Sequence, residues 1–162
     1  MILNVLLAPN PILSTRCVDV LDSEFCTPEL TQFVSSMAET MYAKRGIGLA
    51  APQVGDRRRI IVADPTNTGK DFLQMINPVI ISHSEDVVTN SEGCLSIPGL
   101  QVSTPRFRDV TVGWRELNGD YQEWYFSGWD AVVIQHELDH LEGTTLLDKV
   151  SNFRRARYLK NR

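Results

Sequence analysis

The stretch from residue 109 to residue 126 constrains the fold more strongly than any other part of this chain. Apolar side chains alternate with polar or small ones along 109–117, which predicts a half-buried strand: Val110, Val112 and Trp114 against Thr111, Gly113 and Arg115. Asn118-Gly119 follows and favours a two-residue hairpin turn. Residues 120–126 are therefore predicted to return as the antiparallel partner strand.

Helices are predicted on both sides of this hairpin. Downstream, a helix should begin at Ser127, which has the form of a capping box with Asp130, and end at Gly143. Upstream, Thr27 and Pro28 suit the start of a helix that Gly46 can close. Its apolar residues recur at helical spacing: Leu30, Phe33, Val34, Met37 and Met41.

The remaining elements are predicted to be short. Strands are expected over 59–63, 72–77 and 79–83, an N-terminal strand over 1–8, and a short helix from Ser151. A glycine-bearing loop is expected over Gly46–Gly55. The pattern predicts an α+β fold, with mainly antiparallel strands packed around a central helix. A length of 162 residues suits one catalytic domain, 1–162, with a short basic segment over 149–162.

Composition narrows the setting of the protein. No apolar run approaches the roughly 20 residues that span a bilayer, and three irregularly spaced cysteines do not form a disulfide framework. We therefore expect a cytoplasmic protein without a membrane segment. Six basic residues and no acidic one lie between Lys149 and Arg162, while the rest of the chain carries 10 basic and 20 acidic groups.

The predicted downstream helix carries the pattern His-Glu-x-x-His at His136, Glu137 and His140. Two histidines four residues apart share one helix face, so both imidazoles can reach one metal ion. Glu137 lies about 100° around the helix from His136, which suits a general base acting on a metal-bound water. A pair of surface histidines is the alternative, but the apolar residues Trp129, Val132 and Val133 predict a buried helix.

A catalytic metal site usually has three protein ligands and one open position, so a third ligand is needed. Metzincin proteases take a third histidine from the same helix, where this chain has Leu146. His83 fits a polar surface residue better, and Cys17 and Cys26 fit small core residues. Cys94 is favoured, because the preceding glycine lets the backbone come close to a ligand.

Three segments together resemble the peptide deformylase family. They are Gly46–Gln53, of the form G-x-G-x-A-A-x-Q, then Glu92–Ser96, which reads Glu-Gly-Cys-Leu-Ser, and Gln135–His140 with the histidine pattern. Their order and spacing make the resemblance specific. It implies a metal-dependent hydrolase that removes the formyl group from the N-terminal formylmethionine of newly made polypeptides.

The resemblance also implies roles for individual residues. Cys94, His136 and His140 would hold the ion, and Glu137 would be the general acid and base for attack by metal-bound water. The side-chain amide of Gln53 and the backbone N–H of Leu95 would hold the oxyanion. The family's usual ion is Fe²⁺, and Zn²⁺, Ni²⁺ or Co²⁺ can substitute, since these ligand types do not select the metal.

Substrate contacts follow from the same resemblance. Val132 and Val133 would form an apolar pocket for the methionine side chain. The peptide would run along the backbone of Gly46, Ile47, Gly48 and Gly93. The same residues are equally compatible with core valines and turn glycines.

The chain departs from many bacterial members at Gln101, where they carry an arginine seven residues after the cysteine. This leaves an electrostatic contact to the peptide open. Arg106 follows a proline in a predicted loop and either meets the peptide or is a solvated surface arginine. The basic C-terminal residues either contact ribosomal phosphates, as in bacterial relatives, or form a solvated tail: Arg154, Arg155, Arg157 and Lys160. A monomer is expected.

Three other functions compete with this one. A general His-Glu-x-x-His metallopeptidase shares the chemistry, but Cys94 as third ligand disfavours it. A non-catalytic binding module would usually have lost a ligand or the glutamate, and none is missing. A structural metal site would need four protein ligands.

Overall fold

The computed structural model describes residues 1–161; Arg162, counted above in the basic tail, lies outside the described residues. The helices and strands, in chain order, are α1 (Pro28–Ala43), β1 (Gly48–Ala50), β2 (Ile60–Ala63), β3 (Leu73–His83), β4 (Val87–Cys94), β5 (Ile97–Phe107), β6 (Asp109–Arg115), β7 (Tyr121–Ser127), α2 (Gly128–Leu141) and α3 (Asn152–Asn161). The α+β class with antiparallel strands is confirmed.

The strands form two sheets. Five of them lie in the order β1-β2-β3-β6-β7, and every neighbouring pair is antiparallel. The other sheet is the β4–β5 hairpin. The two sheets differ in position: the larger one packs against α1 and α2, and the hairpin brings the segment Glu92–Ser96 to α2.

Both faces of the larger sheet are covered near its β2 strand. On one face, Ile61, Met75 and Trp114 pack with Ile134 and Leu138 of α2. On the other, the apolar side of α1 packs on alternate strand residues: Leu30, Val34, Met37 and Met41 against Leu49, Ile60, Val62 and Ile76. Burial on both faces explains why all four residues of β2 are apolar and buried. α2 is the central helix, as predicted.

α1 begins as predicted and ends earlier than predicted. The hydroxyl of Thr27 accepts a hydrogen bond from the N–H of Leu30, and Pro28 occupies the first turn. The helix ends at Ala43, and Arg45 rather than Gly46 adopts the left-handed conformation that closes it, at φ 59°. The N–H groups of Arg45 and Gly46 cap the last carbonyls.

The predicted hairpin forms, with β6 paired to β7, but its two-residue turn was wrong. β6 ends at Arg115, and the N–H of Gly119 donates to the carbonyl of Glu116 with Gly119 at φ 88°. This is a three-residue turn with a glycine in the left-handed position. The chain therefore does not reverse at Asn118-Gly119 alone. The side chain of Asn118 bonds to Asp120.

α2 starts after Ser127 and closes at Gly143, at φ 76°, as predicted. The capping box was wrong. The Ser127 hydroxyl donates to the carboxylate of Asp109 across the hairpin, at 2.8 Å, so it caps nothing in its own helix. α3 follows Ser151 as predicted.

Several strand predictions need correction. Segments 72–77 and 79–83 belong to one strand, β3, because a register shift between Ile76 and Val79 accommodates Pro78. Residues 1–8 form no strand; their N–H groups make single bonds to different elements, from Leu6 to the carbonyl of Gln53 and from Ala8 to that of Ser96. β1 lies inside the predicted loop 46–55.

The β4–β5 hairpin was not predicted. β5 does alternate, since Leu100, Val102, Thr104 and Arg106 point inward. Two of these inward residues are polar, and Pro105 interrupts the run. The alternation is therefore invisible to a pattern that counts apolar residues.

Within residues 1–161, no helix is long and apolar enough to cross a bilayer. All three cysteines are free thiols.

Candidate metal centre

Two elements bring together three groups that could hold a metal ion. α2 presents His136 and His140 from one face, and the end of β4 presents Cys94. Their ligand atoms all lie within 4.8 Å of one another, and the Cys94 Sγ lies 3.4 Å from His140 Nε2. A register shift between Glu92 and Cys94 in the β4–β5 hairpin turns the thiol toward the helix.

The electrostatics of this cluster suit a cation. Burial alone would lower the pKa of His136, but hydrogen bonds to Cys94 and Glu92 outweigh it and raise the pKa to about 10. Burial and the nearby His136 hold the pKa of His140 well below its usual value. The Cys94 sulfur and the Glu92 carboxylate thus favour a positive charge beside them, a place that a metal ion can take. One sulfur and two imidazole nitrogens fit a divalent transition metal.

A buried ionic network holds His136 in place. Its Nδ1 lies 3.0 Å from a carboxylate oxygen of Glu92. Arg106 donates two hydrogen bonds to the Glu92 carboxylate, at 2.8 and 3.0 Å. It donates another to Asp139 on the next turn of α2. Burial alone would raise the pKa of Glu92, but the bonds from His136 and Arg106 keep it below its usual value. A carboxylate behind a metal-binding histidine fixes its ring and tautomer.

Arg106 was wrongly expected in a loop. It is 5% exposed on β5 and faces α2 rather than the solvent. Glu92 and Asp139 were quoted only as motif letters, without a role. The signal that could have found them is the charge pattern: Glu92 stands two residues before Cys94 and Asp139 three after His136, and carboxylates that are buried beside such residues need a cationic partner.

Glu137 stands beside the cluster without joining it. It is 4% exposed, and burial raises its pKa to about 7 against the opposing charge of His136. Its Oε1 lies against Gly48, where a Cβ would come within 2.4 Å of it. Among the described residues, Glu137 Oε2 and His140 Nδ1 have no hydrogen-bond partner although both are buried.

Gln53 is held beside the thiol by hydrogen bonds at both ends of its side-chain amide. Its Oε1 accepts from the N–H of Ala50 at 2.9 Å, which directs its Nε2 toward Ser96 and Cys94. That Nε2 donates to the Ser96 hydroxyl at 3.1 Å and lies 3.5 Å from Cys94 Sγ. Ser96 was not assigned a role from the sequence, although it orients the amide.

A cavity of about 390 Å³ opens onto this cluster. All six residues predicted to bind substrate line it: Gly46, Ile47, Gly48, Gly93, Val132 and Val133. Gln53, Cys94, Leu95, His136 and Glu137 line it too, whereas His140 lies behind them. Arg45 and Trp129 stand at its mouth and were not predicted there.

The alternative ligands lie elsewhere. His83 is exposed on β3 and stacks on Phe107, as expected for a surface histidine. Cys17 is buried in the core beside α2. Cys26 is exposed, so its expected place in the core was wrong.

Comparison with known proteins agrees with this geometry. The sequence model of the family described as polypeptide deformylase matches residues 2–156. The chain is 44% identical over 158 residues to peptide deformylase 2 of Nitrosomonas europaea, covering 98% of this chain and 83% of that protein. It is 40% identical over 161 residues to the peptide deformylase of Rickettsia typhi, covering 95% and 90%.

Solved structures show the same fold. A peptide deformylase from Legionella pneumophila superposes with a TM-score of 0.91 at 32% identity, covering 99% of this chain and 92% of that one. A Met-Ala-Ser-bound class I type b peptide deformylase from Acinetobacter baumannii gives 0.86 at 30% identity, covering 93% and 99%. With the family match spanning nearly its whole length, the chain belongs to the peptide deformylases.

Proposed function

We propose that the cavity beside α2 removes the formyl group from the formylmethionine of newly made polypeptides, with the residue roles set out below. Membership of the family makes the chain a metal-dependent hydrolase of this class. The observation that carries the proposed roles is the buried carboxyl of Glu137, whose Oε2 has no partner among the described residues beside three converging ligand atoms.

Cys94, His136 and His140 would hold one divalent ion. We favour Fe²⁺ from the family resemblance, with Zn²⁺, Ni²⁺ or Co²⁺ able to take its place. When bound, the ion supplies Lewis-acid chemistry, which lowers the pKa of a water and polarises a carbonyl oxygen. Glu92 and Arg106 would keep the His136 ring oriented for it.

Glu137 would move the proton. A group with a pKa near 7 can both accept and donate a proton at neutral pH, which is what a formamide hydrolysis needs. Glu137 would accept the proton of the attacking water at its free Oε2 and then deliver it to the departing amine.

Gln53 and Leu95 would face the oxyanion. The Gln53 amide is fixed by Ala50 and Ser96, so it needs no reorganisation to donate from Nε2. Removing one such donor typically costs about 2.7–4 kcal/mol of transition-state stabilisation. The apolar side chains of Val132 and Val133 would receive the methionine, and the backbone of Gly46, Ile47, Gly48 and Gly93 would follow the peptide.

The test is an anaerobic metal analysis paired with a formyl-Met-Ala-Ser assay. Glu137→Gln should keep one metal per chain and lose about 10²–10⁴-fold in kcat, the usual range for a general acid or base. Glu85→Gln, at an exposed position outside the cavity, should change neither. Turnover of Glu137→Gln near that of the wild type would refute the proton-transfer role.

A general metallopeptidase would behave differently in the same assay. It would cleave internal bonds of an unformylated peptide at a rate comparable to deformylation. We expect formate release only.

We also propose that the protein works in the cytoplasm as a monomer, with its whole length forming one catalytic domain. The three free thiols support a reducing compartment.

A ribosome contact would use the outer side of α3. Arg154 and Arg155 are engaged within the chain, with the carbonyl of Gln101 and with Asp148, so Arg157 and Lys160 are the better candidates. Binding to purified ribosomes should weaken as salt rises and disappear in Arg157→Glu/Lys160→Glu. Unchanged co-sedimentation of that variant would exclude α3 as the contact.

A further inference from the structure

The mouth of the cavity has an uneven charge. Among the described residues that line it, Glu92 and Glu137 are buried at 4% exposure each, and Glu92 is already paired with Arg106. Arg45 is the exposed charged residue of the lining. Among the lining residues, the charge that an incoming peptide can reach at the surface is therefore the guanidinium of Arg45.

The position of Arg45 is fixed by the backbone. It adopts φ 59° directly after α1, and its N–H donates to the carbonyl of Tyr42 at 2.9 Å. The next N–H, of Gly46, donates to the carbonyl of Met41 at 2.9 Å. This pair of caps fixes the backbone of Arg45 next to Gly46, where the proposed peptide path along Gly46–Gly48 begins.

The guanidinium of Arg45 has no partner within residues 1–161. The other arginines near structured elements are mostly neutralised, for example Arg58 by Glu24 and Asp56, and Arg106 by Glu92 and Asp139. No ion pair or side-chain hydrogen bond involves Arg45 in the described chain, which leaves its charge available to a ligand.

The cavity lining at Gly93 is backed by a neutral side chain. Gly93 lies against the amide of Gln101, whose Nε2 is 2.7 Å from where a Cβ would stand, and Ser91 donates to its Oε1 at 3.2 Å. This part of the lining can give hydrogen bonds. The positive charge beside it, on Arg154, bonds to the carbonyl of Gln101 and does not line the cavity.

A formylated N-terminus is uncharged, so the first charges of the substrate are on side chains after the methionine. Extended residues advance about 3.3 Å each, and an arginine side chain can span two of them. We infer that Arg45 is a specificity-determining residue that favours substrates with Asp or Glu at the second or third position. This inference rests on the proposed deformylase function.

The test compares kcat/KM for formyl-Met-Ala-Ser, formyl-Met-Asp-Ser, formyl-Met-Ala-Asp and the two corresponding lysine peptides at low salt. The wild type should favour at least one acidic peptide over its lysine counterpart by about two- to fivefold, the range that exposed ion pairs give. The difference should lie in KM, because Arg45 belongs neither to the ligand cluster nor to the proposed proton-transfer and oxyanion groups, and 0.5 M salt should reduce it.

Variants isolate the residue. Arg45→Gln should bring the acidic-to-lysine ratio close to one, Arg45→Lys should retain it and Arg45→Glu should invert it. Lys44→Gln is the matched control: it removes the same charge one residue away, from a side chain that does not line the cavity, and should keep the ratio. A wild type without acidic preference, a preference that survives Arg45→Gln, or an equal loss in Lys44→Gln would each overturn the inference. Failure of the wild type to release formate from any peptide would instead refute the proposed function.

Discussion

At the scale of single residues, the buried carboxyl of Glu137 makes the metal-free fold less stable at high pH. Burial favours its neutral form, and the pKa rises from 4.5 to about 7. A raised carboxyl pKa means that the folded state holds the proton more tightly than the unfolded state does. The stability of the metal-free protein is therefore intact below pH 4.5 and falls as the pH rises through about 7.

Glu137→Gln should stabilise the metal-free protein at alkaline pH. At about 1.4 kcal/mol per pKa unit, ionising the buried carboxyl costs on the order of 3 kcal/mol by pH 8. Urea unfolding of the two metal-free proteins should give similar free energies near pH 4.5 and a growing advantage for the variant toward pH 8. Glu85→Gln, on the surface, should follow the wild type; a variant no more stable than the wild type at pH 8 would contradict the raised pKa.

Gly48 keeps Glu137 where it is. A methyl group at this position would come within 2.4 Å of Glu137 Oε1, so Gly48→Ala must push the carboxylate aside. We expect kcat for formyl-Met-Ala-Ser to fall at least about tenfold, since small displacements of a catalytic group can cost up to about 10²-fold, with metal content retained. Gly113→Ala is the matched control, because it displaces the Tyr121 hydroxyl on the outer face of the larger sheet and should leave kcat unchanged. Equal kcat in the two variants would show that the contact is unimportant.

At the scale of elements, Arg106 is the tie between the β4–β5 hairpin and α2. It lies on β5, holds Glu92 of β4 and Asp139 of α2, and through Glu92 reaches His136. Cys94 and the two histidines come from these same elements. The geometry of the ligand set therefore depends on one buried cation that binds no metal itself.

Arg106→Met should destabilise the metal-free protein by about 3–5 kcal/mol, because it leaves the carboxylate of Glu92 buried without its partner. Metal affinity should fall about 10–100-fold as the support behind His136 is lost. Denaturation and competitive metal titration measure the two effects. Arg106→Lys should recover only part of both, since lysine cannot bond twice to Glu92; full recovery would argue for charge alone.

The elements also show what the sequence could predict. α1, α2, α3 and the β6–β7 hairpin carry their own signals in apolar spacing, caps and turn residues, and they were found. β4 and β5 depend on each other and on α2, and their inward side chains include Thr104 and Arg106. Local periodicity does not register a strand whose inner face is polar, because its partners come from distant parts of the chain.

At the scale of the whole molecule, the site was more predictable than the fold around it. The side-chain types of Cys94, His136, Glu137 and Gln53 suggested a shared site, and three short motifs were enough to predict that these residues lie together. What the motifs lacked was their support, the Glu92–Arg106–Asp139 network, and the mouth formed by Arg45 and Trp129. Those groups are ordinary surface-type residues, and only packing gives them a role.

One ion held by Cys94, His136 and His140 would join the β4–β5 hairpin to α2. Metal removal should therefore lower the unfolding free energy of the whole molecule. Binding to the folded state alone stabilises it by about 2.7 kcal/mol when free metal exceeds the dissociation constant 100-fold. The unfolding free energy of the metal-loaded protein should therefore drop by at least this amount on chelation. In Cys94→Ser the difference between loaded and chelated protein should nearly vanish, because the thiolate ligand is gone. Cys26→Ser, at an exposed thiol far from the cavity, should keep the full difference. If chelation leaves the wild-type unfolding curve unmoved, the three groups do not hold a metal that matters to the fold.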